Sequence, residues 1–70
     1  MIEYRVIWWE RMAGIADPVP FGGSVTTNWE IVVYKLEAFR SSPRTLKAFI
    51  EARPASDAPW PRFWDKEVVA

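Results

Sequence analysis

Chemistry at neutral pH usually starts from a nucleophile, a base or a metal, and this chain has few residues for any of them. It contains neither histidine nor cysteine. That removes the usual nucleophile–base triads and the common zinc, copper and haem ligand sets. What remains is Ser41 or Ser42 with Lys47 as a Ser–Lys pair, nine carboxylates, and the run Phe21-Gly22-Gly23-Ser24. Each reads more simply as structure. Ser42 precedes Pro43 and suits a helix N-cap. The carboxylates are scattered and mostly alternate with apolar residues, whereas acid–base work needs two in one cleft. The glycine run feeds a strand-like segment and lacks the following lysine of a phosphate-binding loop. The residues therefore point away from catalysis, and neither a cofactor nor a metal is expected.

Binding is better represented. Five of the 70 residues are tryptophan, and four of them fall in Trp8-Trp9 and Trp60-Pro61-Arg62-Phe63-Trp64. Tryptophan and arginine are enriched at the energetic centres of interfaces, and proline lowers the entropy lost on binding. The competing reading is that these rings plug the core, with Trp60 and Trp64 holding Arg62 by cation–π contact. Residues 35–53 carry Lys35, Arg40, Arg44, Lys47 and Arg53 against Glu37 and Glu51. Arg40, Arg44 and Lys47 around a helix N-terminus would suit phosphate, with strand aromatics to stack bases. The net charge of zero argues against long-range steering toward nucleic acid. The partner-binding candidates are Trp9, Tyr34, Arg40, Arg44, Lys47, Trp60, Arg62 and Trp64.

The elements that would position these residues follow from periodicity. A chain of 70 residues makes a single domain, and burying only about 60% of its unfolded surface leaves it marginal without help. Residues 2–9 read as a strand with Ile2, Tyr4, Val6 and Trp8 on one face and Glu3, Arg5, Ile7 and Trp9 on the other. Residues 10–23 are ambiguous: glycine and proline break both helix and strand, a loop this long is functional, mobile or conceals a short element, and Arg11 to Ala16 allow one helical turn. Residues 24–38 are rich in β-branched and aromatic side chains and predict a second strand. Residues 43–53 predict an amphipathic helix, with Ser42 as N-cap, Pro43 in its first turn, and Leu46, Phe49 and Ile50 on its buried stripe. Pro54 ends it. Residues 54–61 form a connector, and 62–69 a final edge strand. The expected core sets Leu46, Phe49 and Ile50 against Val6, Ile31 and Val33.

The expected fold is α+β: a small antiparallel sheet of two to four strands with one amphipathic helix packed on one face. Both main strands turn apolar on both faces toward one end, so a second cover is needed. The candidates are the 10–23 loop with Phe21, the C-terminal Trp-Pro segment, a second copy of the chain, or a foreign protein. No segment reads as a signal peptide, and no apolar run is long enough to span a bilayer, so a cytoplasmic protein is expected. In size and make-up the chain resembles, without a shared motif, the small proteins that phages encode against host defence, such as anti-CRISPR proteins, and the accessory subunits of larger complexes. The functional expectation is a non-catalytic protein-binding module, either a stoichiometric inhibitor or an accessory subunit. A nucleic-acid-binding module is the alternative. No small-molecule substrate or membrane partner is expected.

Overall fold

The computed structural model describes residues 1–60. Four elements follow one another: β1 (Ile2–Glu10), β2 (Val19–Gly22), α1 (Trp29–Arg40) and β3 (Thr45–Pro54). The sheet is antiparallel, with β1 between β2 and β3. The helix packs on one face of it, so the α+β class is as expected. Val6, Val32 and Ala48 form the buried centre, surrounded by Tyr4, Trp8, Val33, Leu36, Phe39 and Ile50.

β1 is the strand that its alternation predicts. The two following assignments are corrected, because helix and strand exchange places. Residues 24–38 are not a strand: from Trp29 onward the chain is helical. Asn28 holds extended backbone angles, and its side-chain oxygen accepts from the Ile31 amide at 3.2 Å. That is an N-cap. Glu30 in the first turn and Arg40 in the last complement the helix dipole. Val32, Leu36 and Phe39 then line up at helical spacing on the buried side, with Val33 beside them. Strand propensity is a weak force, and burial of this stripe overrides it.

Residues 43–53 are not a helix. Ser42-Pro43-Arg44-Thr45 is a turn closed by Thr45 N–H donating to the Ser42 carbonyl at 3.1 Å. Proline occupies its favoured second position. The strand that follows pairs along nearly its whole length with β1, from Ile2↔Pro54 to Glu10↔Thr45, with a bulge that leaves Leu46 without a β1 partner. The expected core is corrected accordingly. Leu46 and Ile31 are exposed, and Phe49 lies on the face away from the helix, opposite Ile7. Val6, Val33 and Ile50 do pack in the core.

The 10–23 segment conceals a short element, β2, and Met12 to Ile15 form a β-turn in place of the expected helical turn. The Met12 carbonyl accepts from Ile15 N–H, and Gly14 has φ 78°, the conformation a type II turn demands at its third position. After β2 the chain keeps to the edge of β1 through Gly23 N–H to the Val6 carbonyl and a two-way exchange between Thr26 and Tyr4. The expected final strand at 62–69 lies outside the described residues.

Candidate protein-interaction surface

The two faces of the sheet are built differently. On the helix side, Trp8 is the middle ring of three. Phe21 from β2 stacks on it at 5.5 Å, and Phe39 from α1 stacks at 3.9 Å, both at 18°. Stacked pairs contribute about 0.5–1.5 kcal/mol each beyond area burial, so this stack ties β2 to the helix through the central strand. The Trp8 indole N–H donates to Glu10 Oε1 at 3.0 Å, which satisfies its polar edge. Gly23 passes so close that a Cβ there would lie 3.4 Å from the Trp8 ring and from the Val6 carbonyl.

A cleft of about 310 Å³ opens between α1 and the Gly23–Ser24 backbone, with Val6, Trp8 and Phe39 in its floor. Tyr34, Lys35 and Ala38 form its helical wall. The same wall continues outward as an apolar stripe. Ile31, Tyr34 and Ala38 share one side of the helix by their spacing, and Tyr34 is 74% exposed. Trp29 is also largely exposed, and its ring meets Tyr4 edge-on at 5.1 Å. A helix that packs properly through Val32, Leu36 and Phe39 thus also presents aromatic surface on its far side.

The helix-free face is laid out as a ladder of cross-strand pairs. Glu3 faces Arg53 and Arg5 faces Glu51 in the β1–β3 register, and both pairs form ion pairs, at 2.7 and 2.8 Å. Next along, Ile7 faces Phe49 and Trp9 faces Lys47, with the Lys47 ammonium 4.2 Å from the Trp9 ring centre. Arg5 is only 7% exposed, and a charge so buried is tolerated only when paired. Trp60 closes this end. Its ring lies 4.7 Å from the Arg5 guanidinium and 4.4 Å from that of Arg53, a cation–π arrangement with two cations. Arg53 also donates to the carbonyls of Ala58 and Pro59, which brings the connector back over the sheet. The C-terminal Trp-Pro segment therefore contributes at least Trp60 to this face, whereas Phe21 of the loop serves the helix side.

The sequence-derived candidates are consequently spread over the molecule. Trp9, Lys47 and Trp60 share the helix-free face. Tyr34 lies on the outer side of α1. Arg40, Arg44 and Lys47 do not surround a helix N-terminus. Arg40 is the last residue of α1, and its Nε and Nη2 donate to the Ala48 carbonyl at 3.3 and 3.1 Å. Arg44 sits in the turn that follows, and Lys47 is committed to Trp9. Trp60 meets Arg5 and Arg53, while Arg62 and Trp64, and with them the expected Trp60–Arg62–Trp64 contact, lie outside the described residues. Ser42 has no helix to cap. Sequence reasoning missed Glu3, Arg5, Glu51 and Arg53. Their signal was present, since Glu3-x-Arg5 and Glu51-x-Arg53 pair in opposite charges when laid antiparallel. Among the described residues no three acids gather into a metal site, and no helix is long and apolar enough to cross a membrane. Comparison with family models, with curated proteins and with solved structures finds no match.

Proposed function

We propose that the protein is a non-catalytic protein-binding module, a stoichiometric inhibitor or an accessory subunit of a larger complex, and that it binds through the outer side of α1 and the cleft beside it. The observation that carries this reading is Tyr34, 74% exposed on a well-packed helix and bordering a cleft floored by Trp8 and Phe39. A tyrosine held on a rigid helix supplies contact area at little entropic cost. The cleft beside it accepts one apolar side chain of the partner, and Lys35 at the rim favours an acidic group nearby. Apart from Lys35, the basic residues considered for nucleic acid do not line this cleft. Of those, Arg40 reaches the Ala48 carbonyl, Arg53 pairs with Glu3, and Lys47 lies over Trp9 on the face of the sheet away from the helix, so they do not form the cluster at a helix N-terminus that the nucleic-acid reading needs.

The test is affinity capture from the native host with and without nuclease, using the wild-type chain, Tyr34→Ala, and the triple charge reversal of Arg40, Arg44 and Lys47. A nuclease-resistant protein partner, captured in fixed ratio, is expected. Its affinity should fall about thirtyfold in Tyr34→Ala, the effect of losing a hot spot of about 2 kcal/mol. Capture that needs nucleic acid, survives Tyr34→Ala and disappears in the charge reversal would overturn the reading.

A further inference from the structure

The outer edge of β3 is the longest stretch of open backbone in the described sheet, and its geometry specifies what fits it. Tyr4 exchanges both hydrogen bonds with Thr26, and the Val6 carbonyl accepts from Gly23. Even-numbered residues of β1 therefore turn their peptide groups toward β2, and odd-numbered ones toward β3. With Arg5 opposite Glu51 and Ile7 opposite Phe49, Glu51 and Phe49 spend their peptide groups on β1. Ala48, Ile50 and Ala52 turn theirs outward. Arg40 agrees with this assignment, since it reaches the Ala48 carbonyl from outside the sheet. Among the described residues no other group pairs with that edge.

A strand laid antiparallel on this edge must match outward groups with outward groups. If that strand is β3 of a second copy, the two-fold axis passes through Ala48, Phe49, Ile50 or Glu51. An axis at Ile50 sets Lys47 against Arg53, and one at Glu51 sets that carboxylate against itself. Like charges directly opposite are destabilising. An axis at Ala48 sets Lys47 against Phe49 and makes no charge pair. Only the axis at Phe49 is self-complementary. It places Lys47 opposite Glu51 twice and Phe49 opposite Phe49, all on the helix-free face, while Ala48 and Ile50 exchange both hydrogen bonds. The lateral pairs are then of the non-hydrogen-bonded kind, in which side chains approach most closely.

We propose that the β3 edge docks a second copy of this chain, antiparallel about Phe49, and that Arg40 is its guard. The Arg40 guanidinium occupies the acceptor that Ile50 of the second copy needs. Blocking an edge with a cation is a known means of limiting strand pairing. The guard keeps the dimer weak and sets the concentration at which two three-stranded sheets become one of six strands.

The experiment is sedimentation of the wild type, Arg40→Ala and Arg40→Gln from micromolar to millimolar, with circular dichroism to confirm folding. A reversible dimer is expected, about a hundredfold tighter in both variants, because the two-fold dimer relinquishes two Arg40 contacts, each on the scale of about tenfold. Register is read separately. The chain has no cysteine, so Lys47→Cys and Glu51→Cys, mixed under mild oxidation, should form a mixed disulfide that exceeds either homodimer. Facing Cα atoms of about 4.5 Å allow it. Because Glu51→Cys leaves Arg5 without its carboxylate, carbodiimide treatment of labelled and unlabelled wild-type chains is the second readout, expected to join Lys47 of one copy to Glu51 of the other. Folded Arg40 variants that stay monomeric, or a dimer that yields neither cross-link, would overturn the proposal.

Discussion

Phe39→Leu distinguishes the observed core from the one that periodicity suggests. The substitution keeps an apolar side chain of good helix propensity and removes the ring that stacks on Trp8 at 3.9 Å. Losing that pair should cost about 0.5–1.5 kcal/mol. The leucine also leaves a void. If it amounts to roughly 30 Å³, the cavity term of about 24 cal/mol per Å³ adds about 0.7 kcal/mol. Phe39 is only partly buried, so some of that void relaxes, and the expected total is about 1–2 kcal/mol. For a domain of this size each kcal/mol moves the midpoint by about 4–8 °C, which gives a fall of roughly 5–15 °C in a thermal melt followed by far-UV circular dichroism. Trp8→Leu combined with Phe39→Leu should then cost less than the sum of the two, by the pair energy, because the second change finds the stack already broken. The near-ultraviolet signal of the stacked rings should weaken in step. An unchanged midpoint in Phe39→Leu, or strict additivity in the double variant, would refute the helix register and the three-ring stack with it.

Two further outcomes follow from other parts of the molecule. Asn28→Ala removes the acceptor for the Ile31 amide and should cost about 1 kcal/mol, seen as a lower melting temperature and faster hydrogen exchange at Ile31, while Asn28→Asp keeps the cap and should restore both. Trp60→Ala uncovers the guanidinium groups of Arg5 and Arg53 and should cost about 1–2 kcal/mol; Trp60→Phe, which keeps an aromatic face, should recover part of it.

The first strand was fully legible, because alternation over nine residues fixes both faces with no help from the rest of the chain. The fold class was legible too, since one amphipathic helix beside apolar strands leaves few other layers. The helix and β3 were misread for related reasons. In residues 24–38 the β-branched side chains carry a strand-like pattern that competes with a helical stripe through Val32, Leu36 and Phe39. What decides is local chemistry at Asn28, together with the fact that those three meet Val6 and Ala48. In residues 43–53, Ser42-Pro43 suits both a helix start and a turn, and the spacing of Leu46, Phe49 and Ile50 fits a helix. In the strand, this segment pairs along β1, buries Ala48 and Ile50 in the core and sets Glu51 and Arg53 against Arg5 and Glu3, some fifty positions away, and a window of a dozen residues does not contain that information. Of the candidate site, Tyr34 stands out by its type, but its exposure follows only once α1 is a helix. Arg40 suits phosphate by its type and is instead used on the sheet edge.

The pairing of β1 with β3 also governs how this chain must be made. Its register runs from Ile2↔Pro54 inward, and the Ala55 amide donates to the Met1 carbonyl at 2.9 Å. β1 therefore waits for β3, which follows it in the chain only after β2 and α1. At about 5–20 residues per second, β1 spends several seconds without β3, with only β2 and then α1 available to cover it. During that interval Ile7 and Trp9, on the face that α1 does not cover, lack their β3 partners Phe49 and Lys47. Non-local pairing of this kind slows folding, so the time translation takes to reach Pro54 and the time β1 and β3 then take to pair together set how long β1 is at risk of pairing with a neighbouring chain.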